Sequence, residues 1–309
     1  MQNSNPLYNT NSGKLSNIYK ILLLMLAVIV AGCGPARRIG EMQESAEEAW
    51  EMQNYQEALF FYEEVIDLKT GRGNEVSGNT YHRAGMAAHE TGHTRKTIEY
   101  LGKAHRNDYG TDRSYYILAD AYREIDNLSL ELSTLEKYND IYPEGERIDE
   151  VRERLFEVYV EINNSEEALD IWALIEHRAS DDPELLEKYF TLNKQLEKEA
   201  ELDDIAGQLL ALDSNNTAAL EYLAEKYFWQ AENQYQQEMK AYEQDQTRGQ
   251  YRQLLDALDE INRKFRISRD YFERLYNIDP SRRYAEYLMN IYIRFGNDER
   301  AAFYRQRAN

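Results

Sequence analysis

The chain of 309 residues contains one cysteine, 5 prolines and 15 glycines. A single cysteine excludes an intrachain disulfide framework and any cysteine-built zinc site within one chain. Few prolines and glycines, beside many Ala, Leu, Glu, Arg and Gln, favour helix. Positive charge is scarce too: 36 Lys and Arg stand against 56 Asp and Glu, a formal net charge of −20. That balance argues against a nucleic-acid binder, which normally carries a basic footprint. No serine nucleophile elbow, phosphate-binding glycine loop or dinucleotide fingerprint is present. What remains is 42% hydrophobic and 30% charged residues over a length that suits one large domain or two ordinary ones.

The N-terminus reads as an address rather than as structure. Residues 1–20 carry Lys14 and Lys20 as their only charges, and Ile21 to Ala31 are uncharged and apolar. Eleven helical residues rise about 16 Å, short of the roughly 20 residues that span a bilayer. A basic stretch, a short apolar stretch and small residues together make an export signal. Val30-Ala31-Gly32-Cys33 resembles the lipobox of bacterial lipoproteins. In that family the cysteine is diacylated through its thiol, the signal is removed before it, and the new amine is acylated. The resemblance implies a signal peptide at 1–32, lipidation at Cys33 and a short tether at 33–38. The alternative is a plain signal peptide with a chance cysteine, although the chain's lone cysteine sits at the one lipobox position that requires it. Several acyl chains make a stable membrane anchor where one is marginal. Gly34 in place of Asp permits outer-membrane sorting by that family's rules, and Gly34-Pro35-Ala36-Arg37-Arg38 lacks the acidic run that directs some lipoproteins to the surface. The resemblance therefore implies an outer-membrane anchor with the body facing the periplasm.

Beyond the signal, helix-pair spacing repeats. Leu288 and Tyr292 fall on one helical stripe, Gly296 marks a turn, and Ala301 and Ala308 fall on the next stripe. The same spacing recurs in Tyr115, Leu118, Ala119 and Tyr122 with Pro143 behind them, in Tyr81, Gly85, Ala88, Gly92 and Ala104, in Tyr55, Ala58 and Tyr62, and in Leu155, Tyr159, Ala168 and Trp172. Asp213-Ser214-Asn215-Asn216 and Asp279-Pro280 resemble the helix-ending signature of the tetratricopeptide family. This pattern resembles the tetratricopeptide (TPR) repeat, whose period is 34 residues. Unit starts fall near 39, 78, 112, 149, 183, 217 and 282, placing a TPR solenoid over 39–309. Small residues let paired helices approach closely while facing aromatics fill the gaps. The expected fold class is all-α, a TPR-type α-solenoid of about seven helix pairs with an elongated hairpin in the sixth.

The final step exceeds the period by about 31 residues. Phe228, Ala231, Tyr235, Met239 and Tyr242 form one helical stripe, and Tyr251, Leu254, Leu258, Ile261 and Phe265 form another. The insertion reads as a helical-hairpin extension over about 230–265. Either it projects towards a partner or membrane, or it folds back onto the solenoid. No polar capping helix follows the last unit before Asn309, which points to that end as a contact face.

Chemistry-bearing candidates are few. His89-Glu90-Thr91-Gly92-His93 matches H-E-x-x-H, which needs both histidines one turn apart on a helix face with the glutamate as base. The repeat register places Gly92 in a turn, which breaks that geometry. A fortuitous metal site from His82, His89 and His93 or His105 is a further reading. No catalytic residue, metal or cofactor is assigned. The TPR resemblance implies that first helices line a concave, protein-binding groove. Transferring its lining positions selects Glu47, Glu51, His82, Met86, His89, Glu90, Tyr116, Asp120, Arg123, Glu124, Glu153, Glu157, Glu161, Glu187, Thr191, Lys194, Glu221, Glu225, Phe228 and Trp229. Such an acidic wall attracts basic segments, acting mainly on encounter rate and specificity. A generally acidic, solubilising surface is the competing explanation. Residues 248–309 are net +4 and residues 33–247 net −26, so the two portions would meet different surfaces. The expectation is a lipid-anchored, non-enzymatic scaffold or adaptor for other envelope proteins. Alternatives are a glycan-binding lipoprotein and a metallohydrolase on His89, Glu90 and His93.

Overall fold

The computed structural model describes residue 34 and residues 36–308, and every regular element among them is a helix. In chain order these are α1 (36–51), α2 Tyr55–Thr70, α3 Gly78–Glu90, α4 Thr94–Arg106, α5 Asp112–Glu124, α6 Leu128–Ile141 and α7 Ile148–Glu161. Then follow α8 Ser165–Ala179, α9 Pro183–Gln195, α10 Glu199–Leu212, α11 Thr217–Gln244, α12 Arg248–Ile278, α13 Arg282–Arg294 and α14 Asp298–Ala308. Among the described residues they form seven successive helix pairs, the sixth being the elongated α11–α12. No helix among the described residues is long and apolar enough to cross a membrane.

One local device closes most of the pairs. Gln53, Gly92, Asp126, Asn163, Glu197 and Gly296 occupy the left-handed region with φ of 57°, 72°, 55°, 57°, 55° and 66°. The following amide then reaches back five residues. Asn54 donates to the Ala49 carbonyl at 2.9 Å, His93 to Ala88 at 2.8 Å and Asn127 to Tyr122 at 2.9 Å. Asn164 donates to Tyr159 at 2.8 Å, Lys198 to Asn193 at 3.0 Å and Asn297 to Tyr292 at 3.0 Å. This is the Schellman closure, which satisfies orphan carbonyls as a helix ends. Entry to the first helices is capped just as regularly. Ser77, Asp182, Asn216 and Ser281 each accept a backbone N–H from two or three residues on, and Thr111 exchanges bonds with Ser114.

The chain divides into two compact units, to Val151 and from Arg152. In the first, Ala84, Ala88, Ala104 and Gly85 are buried where α3 meets α4. A Cβ at Gly85 would lie 2.7 Å from the Leu101 side chain and 2.9 Å from its backbone nitrogen, so the approach needs glycine there. Leu101 and Leu118 continue this core towards α5. In the second unit, Trp172 stacks on Tyr189 at 4.0 Å, and Phe228, Phe265 and Phe272 of the sixth pair form an aromatic cluster with Tyr287 of α13.

Helices α11 and α12 have 28 and 31 residues, against 13 for α9 and α13. Their apolar stripes face one another: Tyr242 meets Tyr251 at 5.8 Å, and Ile261 and Phe265 are buried with Phe228 and Ala231. The extension thus packs along itself. Arg294, at the end of α13, braces its base, lying over the Tyr235 and Phe265 rings and paired with Glu232.

Candidate functional site

The histidines separate into two places. Helix α3 ends at Glu90, Gly92 turns the chain, and His93 is the N-cap of α4, with its Nδ1 2.9 Å from the Thr91 hydroxyl. His89 and His93 therefore belong to different helices, and Arg113 donates to the Glu90 carboxylate at 2.7 Å. His82 and His105 lie elsewhere, packed among aromatics. His82 meets Tyr109 edge-on at 5.2 Å, and His105 stacks on Tyr115 at 3.9 Å with Nε2 3.0 Å from the Ser114 hydroxyl. Burial, helped by Arg83, pushes His82 down to about 4; burial, helped by His82 and Lys137, does the same to His105. Both rings are neutral near pH 7. Among the described residues no group of three or more His, Cys, Asp or Glu is arranged to hold a metal ion.

In the first unit, the selected groove residues sit on α1, α3 and α5. Glu47 is half-buried beside Tyr62, whose hydroxyl is raised first by burial and then by Glu47; Glu51 is exposed. His89 and Tyr116 share a concavity of about 310 Å³ with Asp112, Arg113, Glu146 and Arg147. The Arg147 guanidinium lies 5.5 Å from the Tyr116 ring centre and grips Glu150 with two bonds of 2.9 Å. Asp120 pairs with Arg123, and Glu124 accepts from the Thr94 hydroxyl at 2.7 Å.

In the second unit, one first helix is tied to the next. Glu157 on α7 is paired with Lys188 on α9 and with Arg154 at 3.1 Å. Burial alone would raise its carboxyl, but these two cations outweigh burial and hold it below the usual range. Glu187 on α9 accepts from the Asn216 amide at the head of α11 at 2.5 Å. Glu221 on α11 accepts from Arg283 at 2.6 Å and from the Tyr284 hydroxyl at 3.0 Å, and Arg283 also reaches Glu225. Glu153 pairs with Arg178 at 2.9 Å, whereas Glu161 is exposed.

The chain is similar to several solved helical-repeat structures. YrrB, described as a TPR protein with an unusual peptide-binding site, is 15% identical over 61% of this chain and 97% of its own, with a TM-score of 0.45. The MamA protein is 16% identical over 57% and 92%, with a TM-score of 0.41. A TPR-repeat protein from Bacteroides fragilis NCTC 9343 is 13% identical over 87% and 98%, with a TM-score of 0.34. No family model and no curated protein matches the chain.

The expected wall of open carboxylates is thus partly neutralised from within. Glu157, Glu187, Glu221 and Glu225 serve as ties between consecutive first helices, and each exposed tie contributes only about 0–1 kcal/mol. Sequence reasoning missed these ties because their partners lie about 30 or 60 residues downstream. The signal that could have found them is a cation or amide near the head of the following first helix, as at Lys188, Asn216 and Arg283. The expectation for Cys33 lies outside the described residues.

Proposed function

We propose that this protein is a lipid-anchored, non-catalytic scaffold whose first-helix surface receives segments of other cell-envelope proteins. The observation that carries this reading is the acid left unneutralised on that surface. Glu51 and Glu161 are exposed and enter no ion pair among the described residues, while neighbouring Arg and Lys side chains occupy most of the other selected carboxylates. Exposed acid steers and selects a basic segment rather than gripping it strongly. The lipobox-like Val30-Ala31-Gly32-Cys33 supports attachment at Cys33, with signal removal after residue 32 and a body at the periplasmic face of the outer membrane.

The test is capture of partners from native membranes, comparing the full chain with a Glu51→Lys, Glu124→Lys, Glu161→Lys variant whose helical content is unchanged. Loss of the proteins that co-purify with wild type supports the reading. An unchanged set of captured proteins overturns the groove assignment.

A further inference from the structure

The elongated sixth pair creates a corner. Helix α11 runs on past Trp229 beside the α9–α10 turn, and the space they enclose measures about 960 Å³. Lys194, Glu197 and Glu199 line one wall, and Tyr222, Trp229 and Asn233 line the other. We propose that this corner binds an arginine-bearing, extended segment of a partner protein, with the guanidinium stacked on Trp229 and bonded to Glu197 and Glu199. The proposal rests on the scaffold reading and deepens it by naming the partner's side chain and the part of the first-helix surface, at Lys194 and Trp229, that receives it.

The observations converge on a cationic guest. Trp229 is a large apolar side chain left 50% exposed, and it faces this corner. Its ring is already oriented, with Phe228 standing edge-on at 5.3 Å and 87°. An indole face is the best aromatic partner for a guanidinium. Charge follows the same direction. Lys226 is held by Asp203, and Glu225 is held by Arg283. Among the described residues Glu197, Glu199 and Lys194 enter no ion pair, leaving two acids against one base. The turn presenting Glu197 is fixed by its left-handed residue and by the bond from the Lys198 amide to the Asn193 carbonyl at 3.0 Å. A planar guanidinium with five N–H donors can stack and bond to carboxylates at once.

The experiment is calorimetric titration of the full chain with three probes: acetyl-Ala-Arg-Ala-Arg-Ala-amide, the same peptide with Glu for Arg, and a neutral N-acetylglucosamine trimer. The arginine peptide is expected to bind and the glutamate peptide to fail. Trp229→Leu should weaken binding about fivefold, the scale of a partly exposed cation–π contact. The Glu197→Gln, Glu199→Gln variant should weaken it further at low salt, with circular dichroism unchanged in both. Equal binding of the two peptides, or undiminished binding by Trp229→Leu, overturns the proposal. Binding of the trimer instead, abolished by Trp229→Leu, also overturns it and assigns the corner to sugars. If Trp229→Leu retains the captured proteins and the arginine affinity while the first-helix Lys variant loses the captured proteins, the corner fails and the scaffold reading stands.

Discussion

Replacing Gly85 with alanine separates two opposing effects whose sizes the structure sets. In a helix interior alanine is favoured over glycine by about 1 kcal/mol, so the change should help if nothing stands in the way. At Gly85 the new Cβ meets the Leu101 side chain at 2.7 Å and the Leu101 backbone nitrogen at 2.9 Å. The side chain can rotate, but the nitrogen belongs to α4 and moves only if the helix does. Overpacking of a close core typically costs about 1–3 kcal/mol, and a backbone obstacle puts this site at the upper end. The net expectation is a loss of about 1–2 kcal/mol. Gly207 in α10 is the control, because a Cβ there meets nothing within 4 Å. Gly207→Ala should stabilise by up to about 1 kcal/mol. Urea unfolding followed by far-ultraviolet circular dichroism reads both. Stabilisation by Gly85→Ala, or equal effects of the two substitutions, refutes the claim that α3 and α4 touch through that glycine.

Three further outcomes follow. His82 and His105 have folded pKa values near 4, below the ordinary 6.5, so their contribution is full above about pH 6.5 and is lost as pH falls towards 4. Urea midpoints measured across that window should drop, and His82→Phe, placed edge-on to Tyr109, should flatten the drop. Arg283→Ala frees Glu221 and Glu225 and should cost about 0.5–1 kcal/mol at low salt and less at high salt; a loss independent of salt contradicts an electrostatic tie. Cys33→Ser should abolish incorporation of labelled fatty acid and release the protein from membranes, as read by labelling and fractionation; a labelled serine variant contradicts attachment at that thiol.

The all-helical, paired class was legible because close helix contacts leave a mark in composition: Gly85, Ala88 and Ala104 are small for a reason visible as a Cβ clash or complete burial. Gly92 and Gly296 announced turns because glycine is the natural residue for φ near +70°. Asp126, Asn163, Glu197 and Gln53 occupy the same conformation without announcing it, since a helix-ending hydrogen bond can hold an ordinary side chain there. The elongated sixth pair was visible as two apolar stripes too long for one repeat. Whether it folds back was not visible, because periodicity gives a face and not its partner; the structure has the two stripes facing each other. The groove was legible as positions but not as charge state. A glutamate at a lining position looks equally open whether or not Lys188 or Arg283 lies within reach, and that reach depends on how one pair stacks on the next.

The central claim, an acidic first-helix surface that selects basic partner segments, is tested most directly by partner capture with charge reversed where the structure leaves acid unpaired. Full-length protein carrying Glu51→Lys and Glu161→Lys should retain its helical content and membrane attachment and lose the proteins recovered with wild type. Recovery of the same proteins in the same amounts would contradict the account.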